Sequence, residues 1–463
     1  LYARKNKGDF FLRIEDTDQK RIVPDAIQKL IESLFWAGIS YDEGIFIDPE
    51  GEVFEKGEYG PYVQSKRLEI YKKYAHELVE KGKAYYCFCT PQRLDSLRSI
   101  QEKAKLAPAY DKLCLKEVTP EEAKRRVASG EKYVIRFDVP EAGETEFEDV
   151  VRGKIKFSNI NLDDFVILKS DGFPTYHLAH VVDDHLMETT TVFRSEEWLP
   201  SAPKHILMFE AFGWEPPQYG HLCTILNKET KKKLSKRDGD VSVDDFRKKG
   251  YLPEAIVNFI ALLGWNPKTE QELFSLDELI ENFDEKKLNK AGAVFDIEKL
   301  DWMNGIYIRK KDVRELSELC RPYFENFGEK IPEHFLEKIV TVERERIKNI
   351  SEIVENTHFY FSAPKYEKKL LAWKDMGAEK VIRSLEKSLG VLENINDSNW
   401  SMEKLKEELL DAADPKNRGE LLWPLRAALS GKEKSSSPFE IAWVLGKKKS
   451  IERINMAIKI TKK

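Results

Sequence analysis

Lys231-Lys232-Lys233-Leu234-Ser235-Lys236-Arg237-Asp238-Gly239 sets five cations around one serine, in a loop that ends on glycine. Lysine is a compact point charge suited to phosphate, and the backbone N–H groups of such a loop can add donors. Charge alone reads first as a solvated basic loop or a nucleic-acid contact. No glycine-rich Walker loop occurs in the chain, so phosphate would not be cradled in the P-loop manner.

Ahead of this loop, short apolar runs alternate with amphipathic helical patterns. Phe10-Phe11-Leu12-Arg13-Ile14 leads into the acidic cluster Glu15-Asp16-Thr17-Asp18. The spacing predicts a helix after Pro24, with Ile27, Leu30, Ile31 and Leu34 on one face. A second is predicted over residues 65–81, carrying Leu68, Tyr71, Ala75 and Leu78. Residues 48–60, rich in Gly, Pro and charge, read as a loop insertion. From Tyr85 to about Thr175 the pattern becomes mixed, with a helix near 94–104 and strands at 133–137 and 165–168. That stretch reads as an insertion within a larger α/β unit. Residues 178–182 and 190–193 then read as strands, and 203–212 as a helix. Beyond Asp244 almost every segment has a 3.6-residue period, as in Ile256, Phe259, Ile260 and Leu263, or Ile441, Val444 and Leu445. The carboxyl half is therefore expected to be helical, with residues 432–437 a surface loop.

At 463 residues the chain exceeds one core and implies three or four domains. No apolar run approaches the roughly 18 residues of a membrane span. Five cysteines make no disulfide scaffold, which favours a reducing, cytoplasmic setting. The net charge of −5 does not exclude a nucleic-acid partner, since a local basic face decides that question.

Lys233-Leu234-Ser235-Lys236-Arg237 resembles the KMSKS loop of class I aminoacyl-tRNA synthetases, in the form typical of bacterial glutamyl-tRNA synthetases. Further stretches resemble that family in the same order: RIEDTD from Arg13 to Asp18, GPYVQSKR from Gly60 to Arg67, and DGFPTY from Asp171 to Tyr176. VVDDH from Val181 to His185, RSEEWL from Arg194 to Leu199, and FDIEKLDWMNG from Phe295 to Gly305 complete the set. The resemblance covers essentially the whole chain. It implies a multidomain α/β plus all-α protein, with a Rossmann-type catalytic domain split by an α/β insertion. The implied segments are 1–83 and 178–238 for the catalytic domain, 84–177 for the acceptor-stem-binding insertion, 239–312 for a helical stem-contact domain and 313–463 for a helical anticodon-binding domain.

The resemblance also implies the reaction. Glutamate would be activated by ATP with Mg²⁺ to glutamyl-adenylate and transferred to the 3′ end of tRNA(Glu), by a monomer without membrane attachment. Such chemistry rests on positioning and charge neutralisation, so no covalent nucleophile is required. By the family pattern Lys236, Lys233 and Ser235 are the catalytic candidates, acting on the phosphates. Arg194 would grip the substrate side-chain carboxylate, for which a planar guanidinium is suited. Glu15, helped by Tyr176, would bind the α-amino group, and Glu197, Trp198, Ile225 and Lys236 would lie at ATP.

Two positions depart from the pattern. The family commonly has Asn where this chain has His180; Asn offers donor and acceptor together, whereas neutral His offers one of each in different geometry. Cys87, Cys89 and Cys114 resemble the zinc ligands of some members, but the position that can supply His there is Lys116. Three thiolates with Tyr110 would make a poor site by the usual ligand preferences, so Zn²⁺ is not expected to be needed. Leu1-Tyr2-Ala3-Arg4-Lys5 reads as the end of a helix stopped by Gly8, and no HxGH-like tetrapeptide occurs in the chain. Roughly two dozen further residues are therefore expected ahead of Leu1. Two rival readings stay open: a non-discriminating synthetase that also charges tRNA(Gln) with glutamate, and a non-catalytic tRNA-binding paralogue.

Overall fold

Phe11–Leu12 lies parallel to Glu43–Ile47, with Phe11 opposite Glu43 and Leu12 opposite Gly44, and the helix Ala26–Trp36 lies between them in the chain. Thr191–Ser195 and Gln218–Leu222 repeat the arrangement, paired in parallel over five residues with the helix Ala202–Phe212 between them. Parallel strands cannot be joined by a tight turn, so each pair carries a helical crossover. Gly44, at φ 130°, is required by the first pair, because a Cβ there would run into the Leu12 backbone. These pairs come from a computed structural model that describes residues 1–21, 25–235, 242–327 and 331–462. The chain divides into two compact units, residues 1–241 with 257–296 and residues 242–256 with 297–463.

In the first unit, Val53–Lys56 pairs antiparallel with Glu43–Ile47, and Phe46 stacks on Phe54. The stretch read as a loop insertion thus contains a hairpin strand; its Gly and charge mark the turn and the exposed face, while the aromatic pair holds the ladder. The second parallel pair is extended by Glu144–Asp149 and its antiparallel partner Gly153–Ser158. Ala84–Cys87, Val134–Phe137 and Val166–Leu168 form a separate antiparallel sheet.

The helix expected over 65–81 is a short 3₁₀ turn, Gln64–Arg67, followed by the α-helix Leu68–Glu80. Tyr71, Ala75 and Leu78 are fully buried on its inner face, as the spacing requires. On Ala26–Trp36, Ile31 is buried but Leu30 is exposed, so that apolar stripe is narrower than expected.

The largest correction falls at 178–182, which lies within the helix Tyr176–Leu186 rather than a strand. Leu178 through Asp184 are all buried, so the segment shows no polar face and no 3.6-residue period. A short continuous apolar run cannot separate a buried strand from a buried helix. Smaller corrections follow. The first helix, Tyr2–Lys5, is followed by a left-handed residue at Lys7 rather than at Gly8. In the carboxyl half Ile260 is exposed, and Ala293–Phe295 is a strand parallel to Ile225–Asn227.

The strand Ala293–Phe295 belongs to the first unit, and among its described residues the second unit has helices and no strand. Ala378–Asn394, Met402–Ala412, Gly419–Ser430 and Pro438–Lys462 surround a core that includes Leu385, Leu409, Leu425 and Ile441. Among the described residues no carboxylate ion-pairs with Arg453, which is buried there; its guanidinium donates to the carbonyls of Leu429, Phe359 and Ser362. It thereby satisfies carbonyls at the ends of two helices, where the helix dipole favours a cation. No described helix is long and apolar enough to cross a membrane.

Candidate active site

The carboxyl ends of parallel strands are where open α/β sheets place ligands, because the chain leaves the sheet there and backbone groups are free to face a cleft. Arg13 and Glu15 follow Phe11–Leu12, Arg194 ends Thr191–Ser195, and Thr224 and Ile225 follow Gln218–Leu222. Tyr176 and His180 come from the first turns of Tyr176–Leu186.

Arg194 is the hub. Its Nε donates to His221 Nε2 at 3.0 Å, and one terminal nitrogen donates to the Tyr176 hydroxyl at 3.2 Å and lies 3.1 Å from His205 Nδ1. The other donates to the Trp198 carbonyl at 3.4 Å, and the guanidinium lies 4.9 Å from the Tyr219 ring centroid. Every one of these partners is uncharged or an aromatic face. Among the described residues no carboxylate ion-pairs with Arg194, so its positive charge stays available to a bound anion.

His177, His180 and His205, packed around it, are held neutral. Burial pushes His180 down to about 3, with Arg13 and Arg194 adding to the effect against the opposing pull of Glu15. Burial likewise pushes His177 to about 3 and His205 well below the usual imidazole range. His180 Nε2 lies 3.3 Å from the Tyr219 hydroxyl and 3.2 Å from Asp184, and its ring stacks on Tyr176 with centroids 5.3 Å apart. A neutral imidazole here presents one donor and one acceptor, unlike the amide that the family commonly has. Burial raises the Tyr176 phenol to about 12, so it stays protonated and can donate.

Glu15 is joined to this group through Arg13, which donates to Glu15 at 3.0 Å and to Asp184 at 2.9 Å. Burial opposes the charge on Arg13, but Asp184, Glu15 and Asp183 together hold it well above its ordinary value. Asp183, fully buried, accepts from Gln64, Arg67 and Tyr71 at 2.8–2.9 Å and so ties the GPYVQSKR segment to the VVDDH helix.

Glu197 pairs with Lys233 at 2.5 Å, and the Leu234 N–H donates to the Ile225 carbonyl at 2.9 Å. The basic loop is therefore anchored at its start to the strand Ile225–Asn227 and to the 3₁₀ turn Glu196–Ser201. Ser235 follows directly, while Lys236 lies outside the described residues. Trp198 is 40% exposed, with its ring 4.4 Å from that of Tyr176. It is a surface available for stacking rather than core. The structure thus brings Arg194, Tyr176, His180 and Trp198 into direct contact, and Glu197, Lys233 and Ile225 into a second group. Sequence reasoning missed Arg13, Asp149, Asp184, His205 and His221. Arg13 and Asp184 stood inside motifs already quoted; His205 and His221 were visible only as two of eight histidines.

The three cysteines form their own cluster. Cys89 and Cys114 sulfurs are 3.5 Å apart, and all three sulfurs lie within 4.8 Å of one another. The Tyr110 hydroxyl lies 3.4 Å from Cys87 and 3.3 Å from Cys89, under the Arg136 guanidinium. A tetrahedral Zn²⁺ with bonds of about 2.3 Å needs sulfurs about 3.8 Å apart. The three sulfurs, with the Tyr110 oxygen beside them, are the groups that would hold such an ion.

A model described as "tRNA synthetases class I (E and Q), catalytic domain" matches residues 1–302, and one described as "Anticodon binding domain" matches residues 315–458. The fold is thus that of a class I tRNA synthetase with an anticodon-binding domain. The glutamate–tRNA ligase of Finegoldia magna is 44% identical over 99% of this chain and 94% of its own length. That of Clostridium botulinum (strain Eklund 17B / Type B) is 45% identical over 100% of this chain and 94% of its own. The crystal structure of a glutamate tRNA ligase from Elizabethkingia meningosepticum, in complex with its amino acid, superposes with a TM-score of 0.87 at 34% identity. It covers 99% of this chain and 94% of that one. The chain belongs to the glutamate–tRNA ligases.

Proposed function

We propose that this glutamate–tRNA ligase works in two steps, for which the site around Arg194 prepares the first. The α-carboxylate of glutamate attacks the α-phosphorus of ATP, which enters as its Mg²⁺ complex, and expels pyrophosphate; the terminal ribose hydroxyl of tRNA(Glu) then attacks the acyl carbon of the adenylate and releases AMP. Arg194 takes the side-chain carboxylate of glutamate. Glu15, helped by Tyr176, binds the α-amino group. Glu197, Trp198 and the backbone at Ile225 border the adenosine, and Lys233, Ser235 and Lys236 act on the phosphates. The observation that carries this reading is the guanidinium of Arg194 among neutral partners, a fixed cation in want of an anion.

The five-segment division is finer than the two compact units and belongs to this proposal: residues 84–177 meet the acceptor stem, 239–312 the stem, and 313–463 the anticodon. A cytoplasmic monomer fits the free cysteines and the absence of an apolar spanning helix among the described residues. The test charges purified glutamate and glutamine tRNAs with labelled glutamate, each alone. Charging of the glutamate tRNA only is expected; charging of both would make the enzyme non-discriminating, and charging of neither would leave a tRNA-binding paralogue.

Spacing alone weighs against zinc, because Lys116 replaces a ligand. The gathered donors favour it, with Tyr110 as the fourth. We expect dialysed protein to retain about one equivalent of Zn²⁺ by elemental analysis, in a structural role, and Cys89→Ala to lose it. Metal-free protein of unchanged stability would reduce the cluster to three buried thiols.

A further inference from the structure

Asp149 and His221 are both fully buried, and no sequence motif points to either. Asp149 sits at the end of Glu144–Asp149 and His221 near the end of Gln218–Leu222. The carboxylate of Asp149 faces His221 Nδ1 at 2.6 Å, and the opposite nitrogen of that ring faces Arg194 Nε at 3.0 Å. An arginine Nε carries a hydrogen and can only donate, so His221 Nε2 must present its lone pair. The ring proton therefore resides on Nδ1, where Asp149 accepts it. The backbone holds Asp149 as firmly: its Oδ1 accepts from the N–H groups of Val151 and Arg152 at 2.9 Å, and the His221 N–H reaches Oδ2 at 3.1 Å. On the other side of the guanidinium the same logic sets His205, whose Nδ1 faces Arg194 and whose Nε2 meets His177 Nδ1 at 3.0 Å.

We propose that Asp149 and His221 are positioning residues for Arg194: the buried carboxylate selects the His221 tautomer, and that tautomer holds the guanidinium in the orientation that receives the substrate carboxylate. The inference rests on the reading of Arg194 as the residue that binds the glutamate side chain. The design has a chemical reason. A carboxylate placed directly on Arg194 would also orient it, but would neutralise the charge that the substrate needs. Interposing a neutral imidazole moves the negative charge one ring away while keeping a directional hydrogen bond. The uncharged acceptors on both sides follow the same rule.

Asp149→Asn is the discriminating variant. Asn matches Asp in shape, and its oxygen is claimed by the backbone N–H groups of Val151 and Arg152, with the His221 N–H also 3.3 Å from that Oδ1 position. Its amide nitrogen then faces His221 Nδ1 and donates to it. The ring proton moves to Nε2 and meets the Arg194 Nε–H, donor against donor. Steady-state aminoacylation on the full chain with tRNA, ATP and glutamate reads the effect. Asp149→Asn and His221→Leu should each raise the glutamate KM about 10-fold to 100-fold, the cost of losing one hydrogen bond to a charged group. The ATP KM and kcat should change little. His221→Gln, which returns an amide oxygen toward Arg194, should recover most of the loss. In an Arg194→Ala background, Asp149→Asn should add nothing.

Thermal melting alongside keeps folding separate from positioning, and the isosteric Asn and the Gln variant serve if His221→Leu does not fold. If Arg194→Ala raises the glutamate KM but Asp149→Asn and His221→Leu, each made in the otherwise native chain, leave it at the wild-type value, the positioning role is wrong. Equal losses in ATP KM, glutamate KM and kcat would also overturn it, as a general structural effect. If Arg194→Ala itself leaves the glutamate KM unchanged, the fault lies in the underlying reading of Arg194.

Discussion

Arg194→Ala should weaken glutamate binding by about 2–5 kcal/mol, the range for truncating one partner of a buried charge pair. Three of its hydrogen-bonding side-chain partners, His221, His205 and Tyr176, already converge on it and carry no compensating negative charge. Removing the guanidinium therefore leaves the substrate side-chain carboxylate facing neutral imidazoles and a phenol, with no cation to offset its desolvation. The effect should appear in the glutamate KM and in kcat/KM rather than in the ATP KM. Arg194→Lys should recover only part of it, since an ammonium cannot occupy the His221, His205 and Tyr176 positions and a bidentate carboxylate together. An unchanged glutamate KM with full activity in Arg194→Ala would remove this residue from substrate recognition.

Lys236→Ala should lower the rate of glutamyl-adenylate formation about 100-fold or more, as loss of a preorganised charge at a developing oxyanion does. The expectation comes from the KLSKR resemblance and from the anchoring of the preceding residues. Lys233 is paired with Glu197, the residue before the exposed Trp198, and Leu234 is tied to the Ile225 carbonyl, so the start of the loop is anchored. Affinity for tRNA should be nearly unchanged, because the lost charge acts on phosphates of ATP. Single-turnover adenylate formation measured beside tRNA binding separates the two effects. A variant with wild-type turnover would take Lys236 out of the chemistry, and one that lost tRNA affinity in proportion would make the loop a nucleic-acid contact.

Much of this protein was legible without a structure, for identifiable reasons. The amphipathic helices declared themselves wherever one face stayed polar, as with Tyr71, Ala75 and Leu78 on Leu68–Glu80. The motifs were legible because their chemistry demands fixed residue types close together in the chain: the basic loop at Lys231 to Gly239, the acidic run after Leu12, and the arginine of RSEEWL. Together they determined the class of protein and named Arg194, Tyr176, Glu15 and Lys233 before any coordinates.

Tertiary structure decided what depends on distant residues. Tyr176–Leu186 was hidden because burial on all sides erases helical periodicity, and Val53–Lys56 because a hairpin's turn residues outweigh its two aromatic anchors. Asp149 and His221 stand 72 positions apart, and only the pairing of Tyr219 with Asp149 in one sheet brings their side chains together. Tyr110 was named beside the three cysteines from the sequence, and packing added that its hydroxyl lies 3.3–3.4 Å from Cys89 and Cys87. A sequence by itself records which groups can do the chemistry. The contacts that settle a tautomer, leave a guanidinium without a carboxylate partner or gather three thiols around a phenol arise only when separate strands and helices are packed to within about 3 Å of one another.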